Sequence, residues 1–263
     1  MQYKGAVFFD YDGTLTDEKV GITHPTETTK AAIDEFRKKG YLAILCTGRA
    51  VGYAQDTGVD FDGIITSIGT HATVHGKVIF DKPIPQELFD RFVHRMDEMD
   101  VSYGIDNPIK CITKDMDDPV FIDWRETFSI GRDVYRPIEE GIPTVGYKVS
   151  LLYRDLSQIE QLKMEFPELT FDVLRTYKCT DVAQKGIDKG TAAMAIIDYF
   201  SIPYENTYAF GDGENDYSML KAVCHGVCMG KHAPCLEEVC ETITECVQDE
   251  GVANALKRFG LID

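Results

Sequence analysis

Ala6-Val7-Phe8-Phe9-Asp10-Tyr11-Asp12-Gly13-Thr14 is the stretch around which the rest of the chain is read. Four apolar residues without alternation predict a strand buried on both faces, as in a parallel sheet. Two carboxylates follow at its end, and Gly13 permits a sharp turn away from the strand. Acids this close repel unless a cation sits between them or one takes a proton. Mg²⁺ suits them, since it is usually held by one or two carboxylates together with phosphate and water. One carboxylate could then attack phosphorus and form an aspartyl-phosphate, while the other serves as general acid and base. Taken alone, Asp-x-Asp-Gly also fits a solvated turn or part of a calcium loop.

Working outward, Thr23 or His24 before Pro25 predicts a helix start, with Ala32, Ile33 and Phe36 as a partial apolar stripe ending at Gly40. Tyr41 to Cys46 is a second unalternated apolar run, ending in Thr47-Gly48-Arg49, and Gly63 to Thr66 is a third. This β-α-β-α-β opening predicts a Rossmann-like, doubly wound parallel sheet, an α/β fold. The same style returns at Gly186. Asp188 caps a helix with Ala192, Ala193, Ile196, Ile197 and Phe200 on one face, and Tyr208 to Phe210 is a strand ending in Gly211-Asp212-Gly213-Glu214-Asn215-Asp216. Gly226 to Gly230 reads as a further strand, and helices are expected around Pro234 to Cys240 and Gly251 to Phe259.

Between these halves the pattern changes. A helix is expected over Gln86 to Met99, then short strands over 101–105, 109–113, 147–153, 169–174 and 178–182. Asp106 to Pro108, Asp115 to Pro119 and Pro137 to Pro143 interrupt them. The expected organisation is a core domain from residues 1–80 plus 184–263, with an α+β insertion over 81–183.

Lys+Arg 27 against Asp+Glu 44 gives a net charge of −17, which disfavours nucleic acid and anionic membranes and repels phosphorylated compounds. A phosphate site on this chain therefore needs local cations. No signal-peptide apolar region and no run long enough to span a bilayer is found, so a cytoplasmic protein is expected, as a monomer or homodimer. Of the eight cysteines, Cys224, Cys228, Cys235, Cys240 and Cys246 cluster late without a Cys-x-x-Cys pair. They read as small core residues rather than zinc ligands.

Four signals carry chemistry. Thr47-Gly48-Arg49 offers a hydroxyl and backbone N–H groups to phosphate oxygens. Lys189, a cation in the first turn of a helix, opposes the macrodipole by about 0.3–1 kcal/mol, and residues that break a local rule tend to be functional. Its ammonium would neutralise phosphate and nucleophile together. Asp212, with Asp10 and Asp12 on neighbouring strand ends, would complete an oxygen cage for Mg²⁺.

In order, Asp10-Tyr11-Asp12-Gly13-Thr14, Thr47-Gly48-Arg49, Lys189-Gly190 and Gly211-Asp212-Gly213-Glu214-Asn215-Asp216 resemble the four motifs of the haloacid dehalogenase-like hydrolases. The insertion between the second and third resembles the larger cap of Cof-type phosphatases. The resemblance implies Asp10 as nucleophile and Asp12 as general acid and base. Thr47, Gly48, Arg49, Lys189 and Asn215 would bind phosphate, and Asp216 would support them. Asp10, the Asp12 backbone carbonyl and Asp212 would hold Mg²⁺. The implied activity is hydrolysis of a small phosphorylated metabolite, a sugar phosphate as first guess, with the insertion reading the leaving group. A phosphomutase on the same core, or a phosphoaccepting signalling protein without turnover, remains an alternative. Ile68-Gly69-Thr70-His71 departs from the Asn-Gly common in relatives, which leaves His71 either a polar substrate contact or an ordinary loop residue.

Overall fold

The first apolar run forms β1 (Gly5–Phe9), a strand whose five residues are all buried because sheet neighbours flank it and helices cover both its faces. The computed structural model of the chain describes residues 3–54, 57–139 and 144–263. Residues 140–143 of the Pro137 to Pro143 interruption lie outside these.

The chain divides into two compact units, Met1–Gly48, Asp56–Asp81 and Asp188–Asp263 in the first, Arg49–Gln55 and Lys82–Ile187 in the second. The first contains α1 (Glu27–Lys38), β2 (Tyr41–Cys46), β3 (Gly63–Thr66), β4 (His71–Val74) and β5 (Lys77–Asp81). The second contains α2 (Gln86–Glu98), β6 (Ser102–Asp106), β7 (Cys111–Thr113), α3 (Pro119–Thr127), β8 (Tyr135–Pro137), β9 (Lys148–Leu152), α4 (Leu156–Glu165), β10 (Leu169–Leu174) and β11 (Cys179–Gln184). The chain then returns to the first unit with α5 (Lys189–Phe200), β12 (Thr207–Gly211), α6 (Tyr217–Ala222), β13 (His225–Cys228), β14 (Thr242–Ile243) and α7 (Gly251–Arg258).

In the first unit eight strands run in the order β14-β13-β12-β1-β2-β3-β4-β5, parallel from β14 to β3. Alternate residues of β1 face opposite layers. Ala6 and Phe8 join Ala193, Ile196 and Leu220 of α5 and α6, whereas Val7 and Phe9 join Ile33, Phe36 and Leu256 of α1 and α7. This is the doubly wound arrangement that unalternated apolar strands require. The parallel pattern ends at β4 and β5, an antiparallel hairpin the sequence reading did not include. Residues 234–238, expected as part of a helix, form a 3₁₀ segment. The helix expected from Thr23 or His24 starts later, where the Thr26 hydroxyl caps α1 by accepting from the Thr29 N–H at 3.1 Å.

In the second unit six strands run in the order β10-β11-β9-β6-β7-β8, antiparallel throughout except for the β7–β8 pair. One face is apolar, with Tyr103, Ile105, Val149, Leu151 and Val182 packed against residues of α2 and α4. The other carries α3 at one end. Among the described residues no helix is long and apolar enough to cross a membrane. All eight cysteines are free thiols, four of them buried and four half-buried.

Candidate active site

β1 lies between β2 and β12, and the parallel register brings Phe9 beside Phe210 and Leu45. The Asp10 N–H extends that ladder, donating to the Phe210 carbonyl at 3.0 Å. Asp10 therefore leaves the sheet next to Gly211 and Asp212, at the carboxyl ends where open α/β sheets bind ligands. The turn after it is tight: the Tyr11 carbonyl accepts from the N–H of Leu15 and of Thr16, at 2.9 and 3.0 Å. Gly13 has φ +100°, and a Cβ there would lie 2.1 Å from Asp212 Oδ2. Only glycine allows the two strand ends to approach this closely.

Lys189 reaches this junction from the start of α5, whose N-cap is Asp188 in a capping box with Thr191. It is fully buried and donates to Asp10 Oδ1 and Asp216 Oδ1, both at 2.6 Å. Asp216 is also fully buried, and its Oδ2 accepts from the N–H groups of Asp212 and Gly213, each at 3.0 Å. It thus braces the Gly211-Asp212-Gly213 turn against the lysine. Thr14, which sequence reading did not single out as a site residue, donates its hydroxyl to Asp212 Oδ1 at 3.3 Å. The Ser67-Ile68-Gly69 turn was likewise missed. Ser67 and Ile68 have positive φ, and a Cβ on Gly69 would lie 2.1 Å from the Asp188 carbonyl, so this turn seats the helix that carries Lys189.

Asp10, Asp212 and Asp216 form a group whose carboxylate oxygens lie within 4.8 Å of one another. Burial pushes the Asp10 carboxyl well above its ordinary range, Asp216 adds to this, and Lys189 opposes it. Burial, then Asp216, pushes Asp212 up to about 7. For Lys189 burial works against the charge, yet Asp10 and Asp216 outweigh it and hold the ammonium above its usual value. Burial comes first in raising Asp10 and Asp212, and with one ammonium shared among three acids it is only partly offset. A hard dication would offset that burial of negative charge, and an all-oxygen donor set fits Mg²⁺.

The structure thus brings Asp10, Lys189, Asp212, Asp216 and Thr14 together. Thr47 is buried at the end of β2, its N–H donating to the Ile65 carbonyl at 2.9 Å, and Gly48 follows it in the same unit. Arg49 begins the piece that groups with the second unit, whereas the sequence reading kept it in the core. The Asp12 and Asn215 side chains are exposed, and Asp12 stands outside the carboxylate group. His71 faces Asp81 across the β4–β5 hairpin, with Nδ1 3.0 Å from Oδ1, which gives it a role in the hairpin.

The sequence profile of haloacid dehalogenase-like hydrolases matches residues 7–256. YkrA of Bacillus subtilis, named as a candidate phosphatase, is 27% identical over 97% of this chain and 98% of its own. A crystal structure of a hypothetical protein from Geobacillus kaustophilus superposes with a TM-score of 0.86 at 25% identity, covering 98% of this chain and all of that one. The sugar phosphatase BT4131, of subclass IIB, superposes with a TM-score of 0.83 at 24% identity over 98% of this chain and 100% of its own. The match runs through every strand end described above, and the chain belongs to the haloacid dehalogenase-like hydrolase family.

Proposed function

We propose that the protein is a Mg²⁺-dependent phosphatase that hydrolyses a small phosphorylated metabolite, a sugar phosphate in the first instance, through an aspartyl-phosphate on Asp10. The observation that supports this most directly is the Lys189 ammonium held 2.6 Å from both Asp10 and Asp216. With Oδ1 taken by Lys189, Asp10 presents Oδ2 to phosphorus. The new Oδ2–P bond forms as the bond from phosphorus to the leaving oxygen breaks, and Asp12 gives that oxygen its proton. In the second half Asp12 takes a proton from water, the water oxygen bonds to phosphorus, and the Asp10–P bond breaks. The exposed position of Asp12 suits a group that must exchange protons with an incoming alcohol and water. Thr47 and Gly48 offer hydroxyl and N–H donors to the phosphoryl oxygens, and Lys189 offsets their charge. Asp10, the Asp12 carbonyl and Asp212 would hold Mg²⁺, with Asp216 bracing Asp212; when bound, the cation supplies the positive charge that the phosphoryl oxygens need. The second unit, inserted between the Thr47 and Lys189 motifs, reads the leaving group.

Phosphate release from an aryl phosphate and a panel of sugar phosphates, with Mg²⁺ and with a chelator, tests this. Release is expected only with the metal, and Asp10→Asn is expected to abolish it. An Asp10→Asn enzyme with near-normal turnover would sink the aspartyl-phosphate route, and an isomerised sugar phosphate in place of free phosphate would make the protein a mutase.

A further inference from the structure

The Ser67-Ile68-Gly69 turn that follows β3 is more unusual than seating a helix requires. Chains of L-residues visit the left-handed region one residue at a time. Three consecutive residues have positive φ here, Ser67 at +50°, Ile68 at +53° with ψ +29°, and Gly69 at +103°. Only the glycine does so without steric cost. Ile68 stands out, because a β-branched side chain crowds the backbone in that region. Backbone of this kind persists where its surroundings over-determine it, and it gathers at functional sites. The Ser67 carbonyl accepts from the Thr70 N–H and hydroxyl, at 3.3 and 3.0 Å. Gly69 lies against the start of α5, where a Cβ would stand 2.1 Å from the Asp188 carbonyl and 2.4 Å from the Lys189 nitrogen. The Ile68 side chain, 9% exposed, reaches the end of β2 instead. A Cβ on Gly48 would lie 3.4 Å from Ile68 Cγ2, so this methyl faces Gly48 on the side that glycine leaves bare. All of these residues belong to the first unit.

We infer that Ile68 is a positioning residue for phosphate, whose left-handed backbone and Cγ2 methyl set the spacing between the Thr47-Gly48 donors and the Lys189 ammonium. Those two groups come from the end of β2 and the first turn of α5, and the chain between them runs through the whole second unit. The turn is a single piece of backbone that meets both. Gly69 fixes where α5 begins and hence where Lys189 stands, and one residue earlier Cγ2 limits how far the Gly48 backbone can swing. Donors already at the right separation need not move when phosphate arrives, and a misplacement of about 1 Å can cost about a hundredfold in rate. The strain at Ile68 is what keeps that separation fixed. This assignment rests on the phosphatase reading and adds to it the residue that spaces its phosphate donors.

Ile68→Val and Ile68→Leu separate this role from ordinary packing. Valine keeps Cγ2 and the β-branch but loses a buried methyl, so its Tm should fall below that of the wild type. Leucine keeps the volume and drops both the β-branch and Cγ2, so its Tm should stand at or above that of Ile68→Val. Activity is expected in the opposite order. On an aryl phosphate with Mg²⁺, Ile68→Val should stay within about twofold of the wild type in kcat and in KM. Ile68→Leu should lose about tenfold in kcat/KM and bind inorganic phosphate, as a competitive inhibitor, about tenfold more weakly. Losses that follow Tm, with valine worse than leucine, would make Ile68 a packing residue and overturn the assignment, as would equal activity in all three proteins. If the wild type releases no phosphate, the phosphatase reading fails separately, and the rise in Tm with inorganic phosphate decides instead. A rise kept in Ile68→Val and lost in Ile68→Leu supports the assignment; an equal rise in both, or none in the wild type, overturns it.

Discussion

Each unit buries a lysine between two aspartates, and the two are held differently. Lys189 sits at a helix start, 2.6 Å from acids on loops at strand ends, whereas Lys148 sits within a strand, 3.3 and 3.4 Å from acids on the two neighbouring strands. The first set is short and crowded with a third acid, so its charge is unbalanced until a cation or proton arrives. In the second, the lysine and its acids are spread over a regular ladder, near a Tyr135 hydroxyl that has no hydrogen-bond partner among the described residues. The same residue types thus gather at loops and a helix start in one unit and along a regular strand ladder in the other; backbone context makes the difference.

Removing each ammonium is the strongest way to break the comparison. Lys189→Met strands Asp10 and Asp216 in a buried site, and stability measured by urea unfolding should fall by about 3–5 kcal/mol. Its kcat should fall by about a thousandfold or more. A variant as stable as the wild type would show that the acids do not need this cation. Lys148→Met should cost about 3 kcal/mol, the lower end of the same range, because the Asp181 side chain is 18% exposed and can be rehydrated. Its kcat on an aryl phosphate should stay within about threefold of the wild type, and a thousandfold loss there would erase the distinction between the two groups.

Acidity sharpens the contrast further. A carboxyl raised above its unfolded value binds its proton more tightly in the folded state, so the Asp212 contribution to metal-free stability is present at low pH and lost as pH climbs from 3.8 to about 7. Mg²⁺ competes with that proton. The rise in Tm on adding Mg²⁺ should therefore be small near pH 5 and full above pH 8, by several degrees, and Asp212→Asn should flatten the profile. An equal Mg²⁺ effect at both pH values would remove Asp212 from the cation site. The smallest effect belongs to His71→Asn. It breaks a cross-strand pair whose Asp81 side is half exposed, so the loss should stay below about 1 kcal/mol with sugar-phosphate preference unmoved. A shift in that preference would return His71 to the substrate.

Much of the first site was legible because it breaks local rules. Unalternated runs ending abruptly in Asp10, Thr47 and Asp212 mark parallel strands and their carboxyl ends, and Lys189 stands where a helix disfavours a cation. Thr14 and the Gly69 turn were not legible, since their importance lies in contacts with residues far along the chain. In the second unit, the alternation of Lys148 and Ser150 with Val149 and Leu151 does declare a strand with a polar face. Which acids oppose it depends on antiparallel register with β6 and β11, and no local pattern sets that register. Two elements left local signals that went unread. Asp155 and Gln158 form a capping box at the start of α4, and Gly76, at φ +74°, turns the β4–β5 hairpin.

The position of β1 between β2 and β12 has a consequence for synthesis. A growing chain gives β1 its β2 neighbour early, but its other edge stays open until Thr207–Gly211 has been made. Throughout that interval the ribosome carries an apolar strand with one unpaired edge, a template for mispairing with other nascent chains. All of the second unit, by contrast, is complete by Ile187. Chaperone demand should therefore fall on the first unit, and translation arrested before β12 should yield a chain in which the second unit resists protease while β1 and β2 do not.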